Sequence, residues 1–214
     1  MPNGVIAHNA KGKFDIKKLK QMAAAWPGLV GMDLAKDVSL SQRLHWDEKL
    51  WEWKKGHARA EGGKHRVVAV DYGLKRNILR CLTSAGCDVT VVPATATAED
   101  ILALSPDGIF LSNGPGDPAA TGAYAVPEIR KLVASGKPLF GICLGLQMAV
   151  IEYARHVCGL EGAHSTEIDP NSPHPVVALM EEQERVVDMG ATMRLGLFPA
   201  VLAADSVVAQ AYGA

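Results

Sequence analysis

The sequence predicts an α/β fold: a doubly wound, mostly parallel sheet with a small N-terminal appendage. Three observations carry that expectation. Short apolar, β-branched runs alternate with helix-length segments from residue 66 to residue 157, glycine-rich turns follow two of the runs, and composition changes across Gly62-Gly63. Alternation of this kind gives parallel strands with helices on both faces, and it places ligand-binding loops at the carboxyl ends of the strands. Residues 1–63 are read as the appendage and linker, and residues 64–214 as the α/β domain.

Each element has its own signal. Arg66 to Val70 reads as a buried strand, and Leu74 to Ala85 as a helix closed by Gly86. Asp88 to Pro93 is the second strand. Thr97 opens a short helix reaching Leu104, Gly108 to Leu111 is the third strand, and Tyr124 to Ala134 is a helix ended by Ser135-Gly136. Leu139 to Ile142 is the fourth strand. Leu144 to Val157 is then a long helix, with Met148, Ile151, Ala154 and Cys158 expected on one face.

Composition narrows the function classes. The chain has 214 residues, 48% hydrophobic, and a net charge of −1, a balance that argues against nucleic acid or an anionic membrane as the main partner. Charge is nonetheless uneven. Residues 1–66 hold 13 Lys/Arg against 7 Asp/Glu, whereas residues 67–214 hold 9 against 16. All four tryptophans, Trp26, Trp46, Trp51 and Trp53, lie in the basic front piece, where anchoring a small subdomain is the commoner role of such residues and an interface is the alternative. The four cysteines lack metal-type C-x₂-C spacing, and no metal site is expected. Without a signal-like start or an 18-residue apolar run, the expected setting is the reducing cytoplasm.

Two segments carry chemistry. Pro138 to Met148 reads Pro-Leu-Phe-Gly-Ile-Cys-Leu-Gly-Leu-Gln-Met, an apolar strand that breaks at a glycine and puts one cysteine at the start of a helix. A G-x-C-x-G pentapeptide in that position is the thiol form of a nucleophile elbow. Its small flanking residues permit a sharp turn that pushes Cys143 out of the sheet. There the unpaired N–H groups and the helix dipole favour thiolate, the nucleophilic form. The second segment, Leu111-Ser-Asn-Gly-Pro-Gly-Asp-Pro118, follows an apolar strand and exposes backbone donors at Gly114 and Gly116, as an oxyanion hole requires.

Together these segments resemble the class I, triad-type glutamine amidotransferases. Residues 111–118 and 141–145, with Pro27-Gly-Leu-Val-Gly-Met-Asp-Leu-Ala-Lys36, Val70-Asp-Tyr-Gly-Leu-Lys-Arg-Asn-Ile-Leu-Arg80 and Pro106-Asp-Gly-Ile-Phe110, are similar to the small subunit of carbamoyl-phosphate synthetase over roughly residues 1–145. Leu146 stands where that family usually has a histidine. From there Met148 to His156, Ala163-His-Ser-Thr-Glu-Ile168, Pro173 to Val177 and Thr192 to Gly196 look instead like the glutaminase domain of CTP synthase.

The resemblance implies glutamine hydrolysis through a cysteine thioester, with ammonia delivered to an ATP-dependent synthetase partner. It makes Cys143 the nucleophile, places Gly114 and Gly116 beside the substrate, and gives the Leu144 N–H to the oxyanion hole. Gln147 would contact the polar end of glutamine, and Glu167 its α-amino group. No cofactor is implied in this domain, and ATP and Mg are expected on the synthetase. Residues 1–63 would be the tail of the small subunit's N-terminal domain. Both families also carry a late His-Pro-Glu that completes the triad, and this sequence has no such tripeptide. Two further readings therefore stand beside the first: the glutaminase portion of a CTP synthase, and a binding or regulatory module without activity.

Overall fold

A computed structural model describes residues 4–29, 31–166, 169 and 171–178. In chain order the elements are α1 (Ile16–Ala24), α2 (Leu34–Val38), β1 (Leu44–Trp46), β2 (Glu48–Glu52), β3 (Gly56–Arg59), β4 (His65–Asp71), α3 (Arg76–Ser84), β5 (Cys87–Pro93), α4 (Ala98–Ala103), β6 (Gly108–Leu111), α5 (Pro118–Ala134), β7 (Leu139–Gly141), α6 (Leu144–His156), β8 (His164–Ser165) and β9 (Pro175–Val177).

Five strands form the main sheet in the order β1-β5-β4-β6-β7. The pairs β5–β4, β4–β6 and β6–β7 are parallel, and β1 adds antiparallel to β5 with Leu44 opposite Val91 and Trp46 opposite Val89. The front piece thus supplies a strand to the central sheet, and the described residues belong to one compact unit that runs across Gly62-Gly63.

The pleat sorts the apolar residues of each strand onto two faces. On one face Val68, Val70, Ile109 and Leu111 pack with Ile101 of α4, Ile129 and Leu132 of α5, and Leu144 and Met148 of α6. On the other, Ala69, Val89, Val91 and Phe110 pack with Leu79 of α3 and with Trp46. Helices cover both faces, as the alternating pattern requires. Thr97 caps α4 in a reciprocal capping box with Asp100.

Three expectations need correction. Helix α5 begins at Pro118 rather than Tyr124, because Asp117 caps it by accepting from Ala119 N–H at 2.8 Å and proline occupies the first turn. In α6, Met148, Ile151 and Ala154 are buried, but Cys158 lies beyond the helix end and is exposed. Of the tryptophans only Trp46 packs against the core; Trp51 and Trp53 of the β2–β3 hairpin are 54% and 76% exposed. Their rings meet edge to face at 5.6 Å, so they pair with each other instead of anchoring a core.

Candidate active site

β4 has β5 on one side and β6 on the other, so strand order reverses there. That reversal is the switch point at which open α/β sheets bind ligands. The loops leaving β4, β6 and β7 meet at this place.

The elbow after β7 is held from both flanks. Ile142 N–H donates to the Leu111 carbonyl and Gly145 N–H to the Ser112 carbonyl, both at 3.1 Å. Gly145 approaches β6 so closely that a Cβ on it would lie 2.4 Å from the Leu111 oxygen. Between these anchors Cys143 adopts φ 54° and ψ −119°, a backbone conformation that non-glycine residues seldom occupy. Such strain costs on the order of 1–3 kcal/mol and persists only where the surroundings over-determine it. Its consequence is an exposed thiol at the N-cap of α6. Leu144, the first helical residue, buries its side chain, and its N–H stands outside the helical ladder.

The loop after β6 is pinned just as firmly. Buried Ser112 accepts from Tyr72 N–H at 2.9 Å through its Oγ and donates to the Asn113 carbonyl at 2.8 Å. Asn113 Nδ2 donates to the Gly73 carbonyl at 3.0 Å, linking the β4 and β6 loops. A side chain at Gly114 would meet the Tyr72 oxygen at 2.4 Å, and Gly116, at φ +94°, has no room either because a Cβ there would lie 2.6 Å from the Met32 oxygen. Beneath this loop, burial pushes the Tyr72 phenol well above its ordinary range, so the ring is a neutral wall.

The loop after β4 turns on Asp71. Its Oδ1 accepts from Gly73 N–H at 2.9 Å and Leu74 N–H at 2.7 Å, and its Oδ2 from Leu40 N–H at 2.9 Å. Three backbone donors occupy this carboxylate, which therefore shapes the loop and leaves little acceptor capacity for a reacting proton.

A cavity of about 720 Å³ opens among the three loops, with Cys143, Gly114, Asn113, Asp71, Lys75 and Val38 in its wall. Of the residues singled out by sequence, Cys143 and Gly114 line it. Gly116 and Leu144 shape it from behind: Gly116 packs on Met32, and Leu144 Cδ2 stands 2.7 Å from where a Gly114 Cβ would be. Gln147 sits half-buried one turn into α6, its N–H donating to the Cys143 carbonyl at 3.0 Å, and is not among the lining residues. Glu167 lies outside the described residues.

None of the seven histidines, all within the described residues, lines the cavity. His164 belongs to β8, where burial, with Arg155 adding to it, pushes its pKa down. Among the lining residues Lys75 is the cation. Sequence reasoning missed Asp71, Asn113 and Lys75 as site residues, although one signal was available. Val70-Asp-Tyr-Gly73 ends its strand in a polar residue and a glycine, as the β6 segment does, and Gly73 takes φ +115°.

Comparison with known proteins gives the family. The family model described as glutamine amidotransferase class-I matches residues 68–211. The carbamoyl phosphate synthase small chain of Caulobacter vibrioides is 52% identical over 202 residues, 94% of this chain and 51% of that protein. The protein of the same name from Bradyrhizobium diazoefficiens is 62% identical over 148 residues, 69% of this chain and 37% of that protein. Among solved structures, a Trypanosoma brucei CTPS glutaminase domain with bound acivicin matches 55% of this chain and 51% of its own, at 27% identity and a TM-score of 0.40. The chain spans about half the length of the curated relatives it matches. With a family model that covers residues 68–211, most of its length, this chain belongs to the class-I glutamine amidotransferases.

Proposed function

We propose that this chain hydrolyses the side-chain amide of glutamine through Cys143, as the glutamine-handling part of a carbamoyl-phosphate synthase of the small-chain type. The observation that carries the reading is the strained elbow, which presents an exposed thiol to a cavity walled by the backbone of Gly114. Relatives at 52% and 62% identity bearing the small-chain name support the choice of synthase.

In this mechanism the Cys143 sulfur attacks the carboxamide carbon, and the carbonyl electrons move onto oxygen. The Leu144 N–H and the Gly114 loop stabilise that oxyanion, as preorganised backbone donors do in acyl transfer. The carbon–nitrogen bond then breaks, and the thiol's proton leaves on the nitrogen as ammonia. Water attacks the resulting thioester, releases glutamate and restores the thiol. Lys75 is the cation available to the substrate's α-carboxylate. Gln147 and Glu167 complete substrate recognition in the same reading. Ammonia passes to an ATP-dependent synthetase partner, which carries the ATP and Mg; the chain itself needs no cofactor. The setting is the cytoplasm, and among the described residues no helix is long and apolar enough to cross a membrane.

A second reading, a module that binds without turning over, is favoured by one observation: no histidine lines the cavity. The two are separated by steady-state release of ammonia and glutamate from glutamine, with Cys143→Ala as the blank. We expect turnover above the blank but several orders of magnitude below that of a relative with a complete triad, since losing a triad base costs that much. We expect His164→Ala and His174→Ala to match the parent. No release above the blank supports the binding module. Fast release lost in either histidine variant identifies a substitute base.

A further inference from the structure

The segment Gly31 to Leu34 comes from the front piece, more than 80 residues before the β6 loop, yet it is built into that loop. Gly31 N–H donates to Asp117 Oδ2 at 2.7 Å, and Asp117 N–H donates to the Met32 carbonyl at 2.9 Å. Gly116 lies against the same stretch: a Cβ on it would come within 2.6 Å of the Met32 oxygen and 2.9 Å of the Leu34 nitrogen. The front segment and the loop therefore share one packed surface.

Asp33 closes this arrangement in an unusual way. It is the N-cap of α2, where an aspartate ordinarily accepts from its own helix, but its side chain makes no cap hydrogen bond. Oδ1 accepts instead from Thr121 Oγ1 at 3.1 Å and from Tyr124 Oη at 3.2 Å, both on α5. Thr121 is fully buried, so its hydroxyl needs a partner inside the protein. Burial first, and the charge of Asp33 second, push the Tyr124 phenol up to about 12, so it remains a donor at neutral pH. A carboxylate has been diverted from capping its own helix to holding the first two turns of another.

Those turns begin at Pro118, two residues after Gly116, and Asp117 caps them. Holding α5 at Thr121 and Tyr124 while binding Asp117 through Gly31 ties the 114–117 backbone to both the front segment and α5. Tethering of this kind serves an oxyanion hole, because donors displaced by about 1 Å from the developing charge lose much of their effect.

We propose that Asp33 is a positioning residue for the glutamine site, setting the backbone of the 114–117 loop through Thr121 and Tyr124. The inference rests on the glutamine reading above for its chemical purpose, but not for its geometry. It also gives a role to the Gly31-Met-Asp-Leu34 stretch, which the mechanism otherwise leaves unused.

The test uses the whole chain and two readouts. In hydrogen exchange, Asp33→Ala speeds exchange of the 114–119 amides at least tenfold, whereas Asp33→Asn, which keeps an acceptor oxygen, stays within threefold of the parent. A Thr121→Val, Tyr124→Phe double variant reproduces the loss, and adding Asp33→Ala to it changes nothing further, as expected for groups acting as one unit. In parallel, Cys143 is alkylated with a glutamine-mimicking chloroketone or with iodoacetamide, which needs no oxyanion hole. Asp33→Ala slows the first reaction tenfold or more and the second less than twofold. Unchanged loop exchange in Asp33→Ala overturns the buttress. Parallel slowing by both reagents, with the loop unchanged or not, overturns its action on the oxyanion hole. A parent chain that shows no preference for the chloroketone contradicts the glutamine site itself and removes the purpose proposed for Asp33.

Discussion

The loops at the carboxyl ends of β4, β6 and β7 and the β2–β3 hairpin are both rich in glycine or aromatic residues, and they use them in opposite ways. At the loops, glycines are present because backbone passes backbone: a Cβ on Gly114 or Gly145 would fall 2.4 Å from a carbonyl oxygen. At the hairpin, Gly56 only completes a turn, with φ +74° and nothing within 4 Å of where a Cβ would be. The β4 and β6 loops bind one another through buried Ser112 and half-buried Asn113, and Asp71 folds the β4 loop onto itself. The hairpin rests on α3 through Leu50 N–H to Ser84 Oγ at 2.9 Å and the Arg80–Glu48 pair at 2.9 Å, and leaves two tryptophans in solvent. Precision of placement, then, is concentrated where the thiol is presented.

That contrast can be broken by substitution, beginning at the elbow. Gly145→Val forces β6 and α6 apart, and we expect it to cost about 3 kcal/mol or more, at the upper end of overpacking losses, read as a lower urea midpoint or as failure to fold. Asp71→Ala leaves three backbone donors without their acceptor in a nearly buried place and is expected to cost roughly 2–3 kcal/mol by the same measurement. Trp53→Ala, on the exposed hairpin, should stay within about 0.5 kcal/mol of the parent. If Trp53→Ala proved as costly as Asp71→Ala, the hairpin would be part of the stable framework and the contrast would fail.

Much of this organisation is legible in the sequence, for physical reasons. Buried parallel strands must be apolar on both faces, so Arg66 to Val70 and Gly108 to Leu111 stand out, and observed β4 and β6 differ from those expectations by one residue at each end or not at all. The elbow is equally visible because a sharp strand-to-helix turn demands small residues around Cys143. Other features depend on partners distant in the chain. β1 is three residues long and amphipathic only in company with β5, so nothing local marks Leu44-His-Trp46 as a strand. The start of α5 is hidden because Gly-Pro-Gly-Asp-Pro satisfies the rules for a turn as well as those for a capped helix. Asp33 reads as an ordinary N-cap until Thr121 and Tyr124 are seen beside it. The tryptophans misled because aromatic residues are usually anchors, whereas Trp51 and Trp53 are content with each other's rings.

If the elbow makes Cys143 the reactive thiol of a glutamine site, as proposed, the other three cysteines supply the internal comparison. Cys81 and Cys158 are exposed but sit at no elbow, and burial pushes the Cys87 thiol up, which slows it further. The most direct measurement is labelling of the intact chain at neutral pH with a glutamine-mimicking electrophile, followed by peptide mapping, with excess glutamine as competitor. We expect Cys143 to be modified first, glutamine to protect it, and Cys87 to be modified last. Preferential modification of Cys81, Cys87 or Cys158, or labelling of Cys143 that glutamine does not slow, would contradict the proposal.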